Sequence, residues 1–152
     1  MKKLILPSLI IALFLVACNF NNKTPSNDTK SVKLPPGPSS IVYNTDWILK
    51  DMNGKEVKIS PDAPKKAMIH FDKEDHVTGS GGCNLFSGNC KFIDNEKIAI
   101  SYGAATQMAC PEMDIESEFF ATLGKAEKYK LDGNKFYLMD KNGTVLLSFT
   151  KD

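Results

Sequence analysis

Arginine is missing from this chain of 152 residues, in which all 19 basic residues are lysines. Proteins recognise guanine edges and transferring phosphoryl groups mainly through the planar guanidinium fork, which a lysine ammonium cannot reproduce. The 18 acidic residues nearly balance the lysines, so the net charge is only +1. The sequence therefore predicts neither a nucleic-acid partner nor nucleotide chemistry.

Groups for metal binding and catalysis are scarce. The two histidines, His70 and His76, and the four cysteines show no C-x-x-C or H-x-x-x-H spacing. Zinc sites usually contain such pairs, and the scattered acidic residues form no EF-hand loop. The glycines of residues 79–82 are not followed by the Lys-Ser or Lys-Thr of a phosphate-binding loop. We predict no catalytic residue, no metal and no cofactor; the enzymatic alternative is a hydrolase in which a histidine activates Cys83 or Cys90.

No apolar run is long enough to cross a membrane. Residues 4–16 form an apolar run that follows Lys2 and Lys3 and has the length of a signal-peptide core. The run leads into Leu15-Val16-Ala17-Cys18, which resembles the lipobox where bacterial lipoprotein signals are cut and the cysteine is acylated. We predict a signal peptide at residues 1–17 and a lipidated Cys18. The alternatives are a secretory signal with a cysteine nearby by chance and an uncleaved N-terminal anchor.

Acylation of Cys18 predicts a lipid-anchored protein of the cell envelope, because two or more acyl chains hold a protein on a bilayer almost permanently. An Asp directly after the lipidated cysteine resembles an inner-membrane retention signal, and this chain has Asn19 there instead. If the host is Gram-negative, we therefore expect the protein at the periplasmic face of the outer membrane. Cleavage removes two lysines and no acid, which changes the net charge from +1 to −1. After Cys18, residues up to 42 are polar and proline-rich, which predicts a disordered tether.

Residues 43–152 are enough for one small domain. Apolar and polar residues alternate in short segments that end at turn signals, as in an antiparallel barrel or sandwich. Trp47 and Leu49 share one side of the first segment, and tight turns are predicted at Asn53-Gly54, Asp132-Gly133 and Asn142-Gly143. Further strands are predicted at residues 67–72, 76–80, 90–93, 97–101, 128–131, 135–139 and 144–150.

A single helix is predicted from Pro111 to about Leu123. Proline suits the first helical position, and the acidic residues of the early turns suit the positive end of the helix dipole. An apolar stripe at helical spacing predicts packing on a sheet; its members are Ile115, Phe119 and Leu123, flanked by Met113, Phe120 and Ala126. The expected fold is mainly β (α+β), a small antiparallel β-barrel or half-barrel with one α-helix packed against it.

Three segments resemble the META domain family, which includes the HslJ-type heat-shock protein of bacterial envelopes. They are Asp46-Trp47-Ile48-Leu49 with Asn53-Gly54-Lys55, then Gly82-Cys83-Asn84-Leu85-Phe86-Ser87-Gly88, and Thr106-Gln107-Met108-Ala109-Cys110. The resemblance implies a META domain at residues 43–152, with these family-motif residues: Trp47, Gly82, Cys83, Asn84, Phe86, Gly88 and Met108. Cys90 departs from the pattern, in which Tyr, Thr or Ser is expected.

The residues alone leave the disulfide pairing open. With Cys18 lipidated, three thiols remain. In the loop-entropy model, a Cys83–Cys110 bridge would stabilise the domain by only about 1 kcal/mol more than a Cys83–Cys90 bridge. The family resemblance implies Cys83–Cys110, with Cys90 left as a buried or free thiol. The glycine-rich residues 79–88 are then expected to form a shaped loop fastened to the helix start, with Leu85 and Phe86 able to point into the core.

We expect a non-enzymatic envelope lipoprotein that acts as a monomer, and the META resemblance implies a binding or stress-protection role for it. Its expected partners are the membrane, through the acyl chains on Cys18, and other envelope proteins. The alternative is a carrier or pilot-type chaperone that binds a lipid or peptide in an apolar groove, since a small β-barrel with incomplete packing can hold one ligand.

Overall fold

The computed structural model describes residues 38, 40–111 and 113–152. The predicted signal peptide, Cys18 and all of the tether up to residue 37 lie outside the described residues. A short 3-10 helix (Ser40–Val42) precedes nine strands and one helix within the described part. In chain order these are β1 (Asp46–Met52), β2 (Lys55–Glu56), β3 (Ala67–Phe71), β4 (His76–Gly81), β5 (Leu85–Phe92), β6 (Ile98–Ala105), α1 (Met113–Leu123), β7 (Lys128–Asp132), β8 (Lys135–Met139) and β9 (Val145–Lys151).

The strands form one antiparallel sheet in the order β6-β5-β4-β3-β1-β9-β8-β7, with β2 paired to β1. The sheet curls until its first and last strands meet at one end, where Lys97 bridges to Lys128. There the Ile98 N–H donates to the carbonyl of Glu127 at 3.0 Å, and the Tyr129 N–H donates to the carbonyl of Glu96 at 2.7 Å. The predicted half-barrel with one helix is confirmed.

Aromatic rings fill the concave side of the sheet. Trp47 and Phe71 each pack against Phe136, with ring centroids 5.3 and 5.4 Å apart. All three side chains are fully buried. Burying a large apolar side chain contributes about 1.5–3 kcal/mol to the free energy of folding. Alternation therefore placed Trp47 and Leu49 correctly on the inner face of β1.

The helix packs its stripe on this core through Phe119 and Leu123, which are fully buried. Two details differ from the prediction. Pro111 lies in a turn, and the described helix begins at Met113. Met113 is 37% exposed, because the helix is oriented with Glu116, which is 3% exposed, toward the sheet.

The glycine-rich segment corrects another expectation. Residues 79–81 belong to β4 and residues 85–88 to β5, so a turn of three residues replaces the predicted loop. Successive strand residues point to opposite faces of a sheet, so Phe86 enters the core while Leu85 is 49% exposed. The small residues allow close contacts between neighbouring strands. The prediction that residues 79–88 form a loop is therefore wrong.

The predicted turn at Asn53-Gly54 is confirmed, and four strands, β4 to β7, are longer than predicted. Asn53-Gly54 connects β1 and β2 with positive φ at both residues. Asp132 is still part of β7, so the next turn falls at Gly133 and Asn134, one residue later than predicted. Among the described residues, no helix has the length and apolar character needed to cross a membrane.

Candidate functional site

The candidate site is built on the three-residue turn Gly82-Cys83-Asn84 between β4 and β5. Gly82 has φ +112°, a backbone conformation that residues with a side chain rarely adopt. Its N–H donates to the hydroxyl oxygen of Ser80 at 3.1 Å. The turn directs the next two backbone N–H groups, of Cys83 and Asn84, toward the start of α1.

Glu116, in the first turn of α1, receives both of these N–H groups. Its Oε2 accepts from Asn84 N at 2.6 Å and from Cys83 N at 3.2 Å, while Oε1 accepts from Asn84 Nδ2 at 2.6 Å. The side chain is only 3% exposed. Hydrogen bonds from several N–H groups and the positive end of the helix dipole compensate this carboxylate for its loss of water.

Gly81 lets the helix come close enough for these bonds. A Cβ atom at this position would lie 2.7 Å from Cγ and 3.1 Å from Cα of Glu116. A larger residue would push the helix away from the turn. Gly81, which was predicted to lie in a loop, therefore lies in a strand at its contact with the helix.

Asn84 extends the network to the segment that follows β6. Its Oδ1 accepts from the Met108 N–H at 2.7 Å and from Thr106 Oγ1 at 2.8 Å, and its Nδ2 also reaches the Met108 carbonyl at 3.2 Å. The carboxamide thus pairs with both backbone groups of Met108, as a neighbouring strand would. We call the set of Gly81, Gly82, Cys83, Asn84, Met108 and Glu116 the Asn84–Glu116 network.

A disulfide joins Cys83 to Cys110, with Cα atoms 6.1 Å apart, which is the pairing that the family resemblance implies. Cys83 thus holds the turn to the segment before α1 by a covalent bond, while Glu116 holds it to the helix itself. Cys90 is the free, buried thiol. The glycine turn is therefore attached to the helix region in two separate ways.

The buried polar side chains of the network are all hydrogen-bonded. Within the described residues, no buried side-chain nitrogen or oxygen lacks a partner. The Glu116 oxygens are directed at backbone and amide donors and away from solvent. This arrangement fixes a shape, and it presents no acid or base to a substrate.

The role of Glu116 was not predicted from the sequence, although a signal was present. Glu116 precedes Phe119, Phe120 and Leu123 by three, four and seven positions, the spacings that place residues on one helical face. A carboxylate on a buried face needs a partner, and two N–H groups at a glycine turn are suitable ones. The acidic residue was assigned to the helix dipole alone.

Beside the network lies a shallow cleft of about 400 Å³, whose lining combines the apolar side chains of Met108, Met113 and Phe120 with polar residues of the network and its neighbours. Met108 is 44% exposed and Met113 is 37% exposed. Tyr102 stacks on Phe120 with ring centroids 5.3 Å apart and continues the apolar surface. We call this surface, of Tyr102, Met108, Met113 and Phe120, the methionine cleft.

The histidines and the free thiol do not form a catalytic pair. The rings of His70 and His76 each bond an aspartate on the surface, Asp46 at 2.7 Å and Asp72 at 3.1 Å. The Cys90 thiol is buried, where Sγ donates to the backbone carbonyl of His76 at 3.5 Å. Burial, reinforced by nearby aspartate charges, raises the pKa of Cys90 to about 12. The thiolate needed for nucleophilic attack is therefore rare at neutral pH.

Asp72, Glu74 and His76 have ligand atoms within 4.8 Å of one another at the β3–β4 turn. The Asp72 carboxylate already accepts hydrogen bonds from the backbone N–H groups of Glu74 and His76. These bonds to the charged form, those of His76 first, lower the pKa of Asp72. The cluster is a turn at the surface in which both Asp72 oxygens are engaged by residues of the turn itself.

The other motif residues lie apart from the network. Trp47 donates from Nε1 to the Val42 carbonyl at 3.1 Å in the core, and Phe86 packs on Phe120 with centroids 5.4 Å apart. Gly88 is paired with Tyr102 across β5 and β6. The structure thus brings together Gly82, Cys83, Asn84 and Met108, while Trp47, Phe86 and Gly88 support the sheet.

Comparison with solved structures shows the same fold. An NMR structure of a protein from Burkholderia xenovorans matches with a TM-score of 0.57 and 22% identity, over 74% of this chain and 84% of that one. A crystal structure of a DUF4847 family protein from Bacteroides vulgatus matches with a TM-score of 0.51 and 18% identity, over 72% of this chain and 94% of that one. No curated protein matches this chain.

The family model described as META domain matches residues 40–152, which is most of the chain. The match covers the half-barrel, the glycine turn and the helix that carries Glu116. The chain belongs to the META domain family.

Proposed function

We propose that this chain is a lipoprotein of the bacterial cell envelope, anchored by acyl chains on Cys18, whose META domain binds other envelope proteins and protects them under stress. The single observation that carries the binding role is the methionine cleft, where exposed methionine side chains lie beside the Asn84–Glu116 network. The role needs no chemical step.

Two features support the location. Leu15-Val16-Ala17-Cys18 resembles a lipobox at the end of an apolar leader. The Cys83–Cys110 disulfide fits an oxidising compartment, because such bonds are rare in the reducing cytoplasm. In a Gram-negative host, Asn19 favours the periplasmic face of the outer membrane, where the tether lets the domain stand away from the bilayer.

The cleft suits an apolar segment of a partly unfolded protein. Methionine side chains are flexible and polarisable, so they adapt to partners of varied shape. No charged residue occurs from Ile98 to Pro111, and the carboxylate nearest the cleft, that of Glu116, is occupied by the network. Glu116 is the one charged residue in the described lining of the cleft, so an apolar partner would meet no unpaired charge within that lining.

A non-enzymatic role is supported by the state of the reactive groups. The Glu116 carboxylate is held by three N–H donors, and the Cys90 thiol is buried with its pKa raised to about 12. Each histidine ring is paired with an aspartate on the surface. Neither arrangement supplies an activated nucleophile.

A carrier for a small apolar ligand is the second candidate. A groove of about 630 Å³ between the β5–β6 turn and β7 favours it, because Tyr129, Leu131 and Met139 line the groove. Native mass spectrometry of the purified protein distinguishes the candidates. A stoichiometric lipid on the wild type supports the carrier, and its absence supports the protein-binding role.

The anchoring claim is tested with an alkyne-labelled palmitate fed to cells that express the full-length chain. We expect label on the wild type and on Cys90→Ala, and no label on Cys18→Ala. The Cys18→Ala protein should also leave the membrane fraction after cleavage or remain as an unprocessed precursor. An unlabelled wild type in the membrane fraction would overturn the anchoring claim.

The binding claim is tested on the mature lipoprotein in lipid nanodiscs, with a fluorescent, reduced and carboxymethylated secretory protein as a permanently unfolded probe. We expect Met113→Lys to weaken binding several-fold, because it places a charge in the methionine cleft. Leu85→Lys is the matched control, since Leu85 is also an exposed apolar residue, at 49% against 37% for Met113, but lies outside the cleft. Equal effects of the two variants, or no binding by the wild type, would contradict the claim.

A further inference from the structure

The two edges of the sheet are unlike each other. Edge strand β7 carries Lys128, Lys130 and Asp132, and its backbone is engaged by the segment before β6 through Tyr129 N and the Glu96 carbonyl. Charged residues and covering segments are the usual devices that prevent an edge strand from pairing with another chain. The β7 edge is protected in both ways.

Edge strand β6 has neither protection over most of its length. Ile98 is buried at the contact with β7, but from Ser101 to Ala105 the side chains are exposed, and β6 contains no charged residue. Its bulge at Gly103, where Ser87 pairs with Ala104 and Gly88 with Tyr102, interrupts the regular ladder only near its end. An uncharged edge strand is a template for another strand.

The free backbone groups of β6 can be located. The N–H of Ile98 donates away from β5, to Glu127, whereas the carbonyl oxygen of Ser101 faces Gly88 of β5, 2.3 Å from where a Cβ on that glycine would lie. Groups of successive residues in an antiparallel strand point to alternate sides. The N–H and C=O groups of Ile100 and Tyr102 therefore point outward from the sheet.

We infer that β6 pairs with β6 of a second copy of this chain, antiparallel, about a two-fold axis at Ser101. In this register Ile100 lies opposite the partner's Tyr102, and both present outward N–H and C=O groups. Each of the two symmetric pairs exchanges two hydrogen bonds, so the four free groups on each chain are satisfied. The strand is complementary to itself, which argues for a second copy over an unrelated extended peptide.

The side chains agree with this register. Ile100 and Tyr102 lie on the same face of β6 as the buried Ile98, and Tyr102 is still 42% exposed beside Phe120. A branched aliphatic side chain opposite an aromatic ring is a favourable cross-strand pair. Pairing would thus cover the exposed ring of Tyr102 with Ile100 of the partner subunit.

The predicted contact is small. A few residues of one strand bury less than the roughly 800 Å² per partner of a stable interface, so dilute protein would be largely monomeric. Two chains confined to one membrane meet at a much higher local concentration. The inference departs from the monomer expected from sequence and rests on the proposed membrane anchoring. Pairing would also cover the Tyr102 end of the methionine cleft.

Cysteine crosslinking in cells that express the full-length chain tests the register. In it Ser101 lies opposite the partner's Ser101 in a non-hydrogen-bonded pair, the closest kind of cross-strand position. We expect Ser101→Cys to form a disulfide-linked dimer on mild oxidation, several-fold more than Ser87→Cys. Ser87 is equally exposed but lies on β5, inside the sheet.

Charge substitution supplies an independent readout. Two differently tagged copies are co-expressed and chemically crosslinked in the membrane before extraction, and co-purification is then measured. We expect wild-type copies to co-purify, two Ser101→Lys copies to separate, and a Ser101→Lys copy to co-purify with a Ser101→Glu copy.

Equal crosslinking at residues 101 and 87, or the failure of opposite charges to restore co-purification, would overturn the inference. Crosslinking of Ser101→Cys to a different protein, without the homodimer, would also overturn it and assign the edge to a foreign strand. Because the substitutions lie outside the methionine cleft, probe binding by Ser101→Lys separates this failure from failure of the proposed function.

Discussion

The backbone N–H of Asn84 donates to the carboxylate of Glu116 at 2.6 Å, and this bond connects the glycine turn to the only α-helix in the described part of the domain. The same carboxylate receives two more N–H groups from the turn. Because the side chain is buried, it stabilises the domain only while those donors are in place. The network thus explains why the turn, the helix start and the segment around Met108 form one unit.

Glu116→Gln should destabilise the domain by about 2–4 kcal/mol. The side-chain amide of glutamine would direct its own N–H donors at the N–H donors of Cys83 or Asn84, in a buried place. Glu118→Gln is the matched control on the same helix, since Glu118 makes only an exposed bond to Asn53. Urea unfolding followed by the fluorescence of Trp47 measures both. Equal stabilities of the two variants would show that the network contributes little.

Gly81→Ala should cost at least about 2 kcal/mol, because the new Cβ would lie 2.7 Å from Cγ of Glu116 in a packed place. Gly103→Ala serves as the control, since its nearest neighbour would be the Ser87 carbonyl oxygen at 3.7 Å. A thermal melt of each variant checks the difference. A Gly81→Ala protein as stable as Gly103→Ala would mean that α1 moves freely relative to β4.

The double variant Cys83→Ser, Cys110→Ser should lose about 3.5 kcal/mol, the loop-entropy value for a sequence separation of 27 residues. It should still fold, because Glu116 and Asn84 hold the turn without the covalent bond. Denaturant unfolding gives the loss, and amide exchange at Asn84 reports the network. Exchange at Asn84 as fast as in an unfolded chain would contradict the separate attachment that we describe.

Cys90 should resist iodoacetamide at pH 8 in the folded protein and react once denaturant is added. Burial first, then the charges of Asp75 and Asp72, raise its pKa from 9.0 to about 12. A thiol whose pKa is raised by folding contributes stability below pH 9, and this contribution is lost as the pH rises from 9 toward 12. The free energy of unfolding should therefore fall over that range, with a smaller slope in Cys90→Ala. Rapid alkylation of the folded wild type would contradict the burial.

Local patterns were sufficient for most of the fold. Alternation placed Trp47 and Leu49 inside, and the turn at Asn53-Gly54 followed from residue types that tolerate positive φ. The stripe through Phe119 and Leu123 gave the helix and its packing. These features depend on neighbours in sequence, which a single chain displays directly.

Contacts between distant segments were harder to predict. The bridge between Lys97 and Lys128, which closes one end of the half-barrel, has no local signature. The glycines before Cys83 suggested a loop, because sequence does not reveal that Gly81 lies against Glu116. The Cys83–Cys110 pairing was available only through the family resemblance, since loop entropy did not decide between the possible bridges.

The most direct test of the account measures envelope protein that aggregates after heat shock, in cells that lack the wild-type chain and express one variant each. Cells with the wild type or Leu85→Lys should show little aggregate. Cells with Met108→Lys and Met113→Lys together should resemble cells without the protein, at equal expression and membrane association. If that double variant protects as well as the wild type, the methionine cleft is not the surface through which this META domain acts.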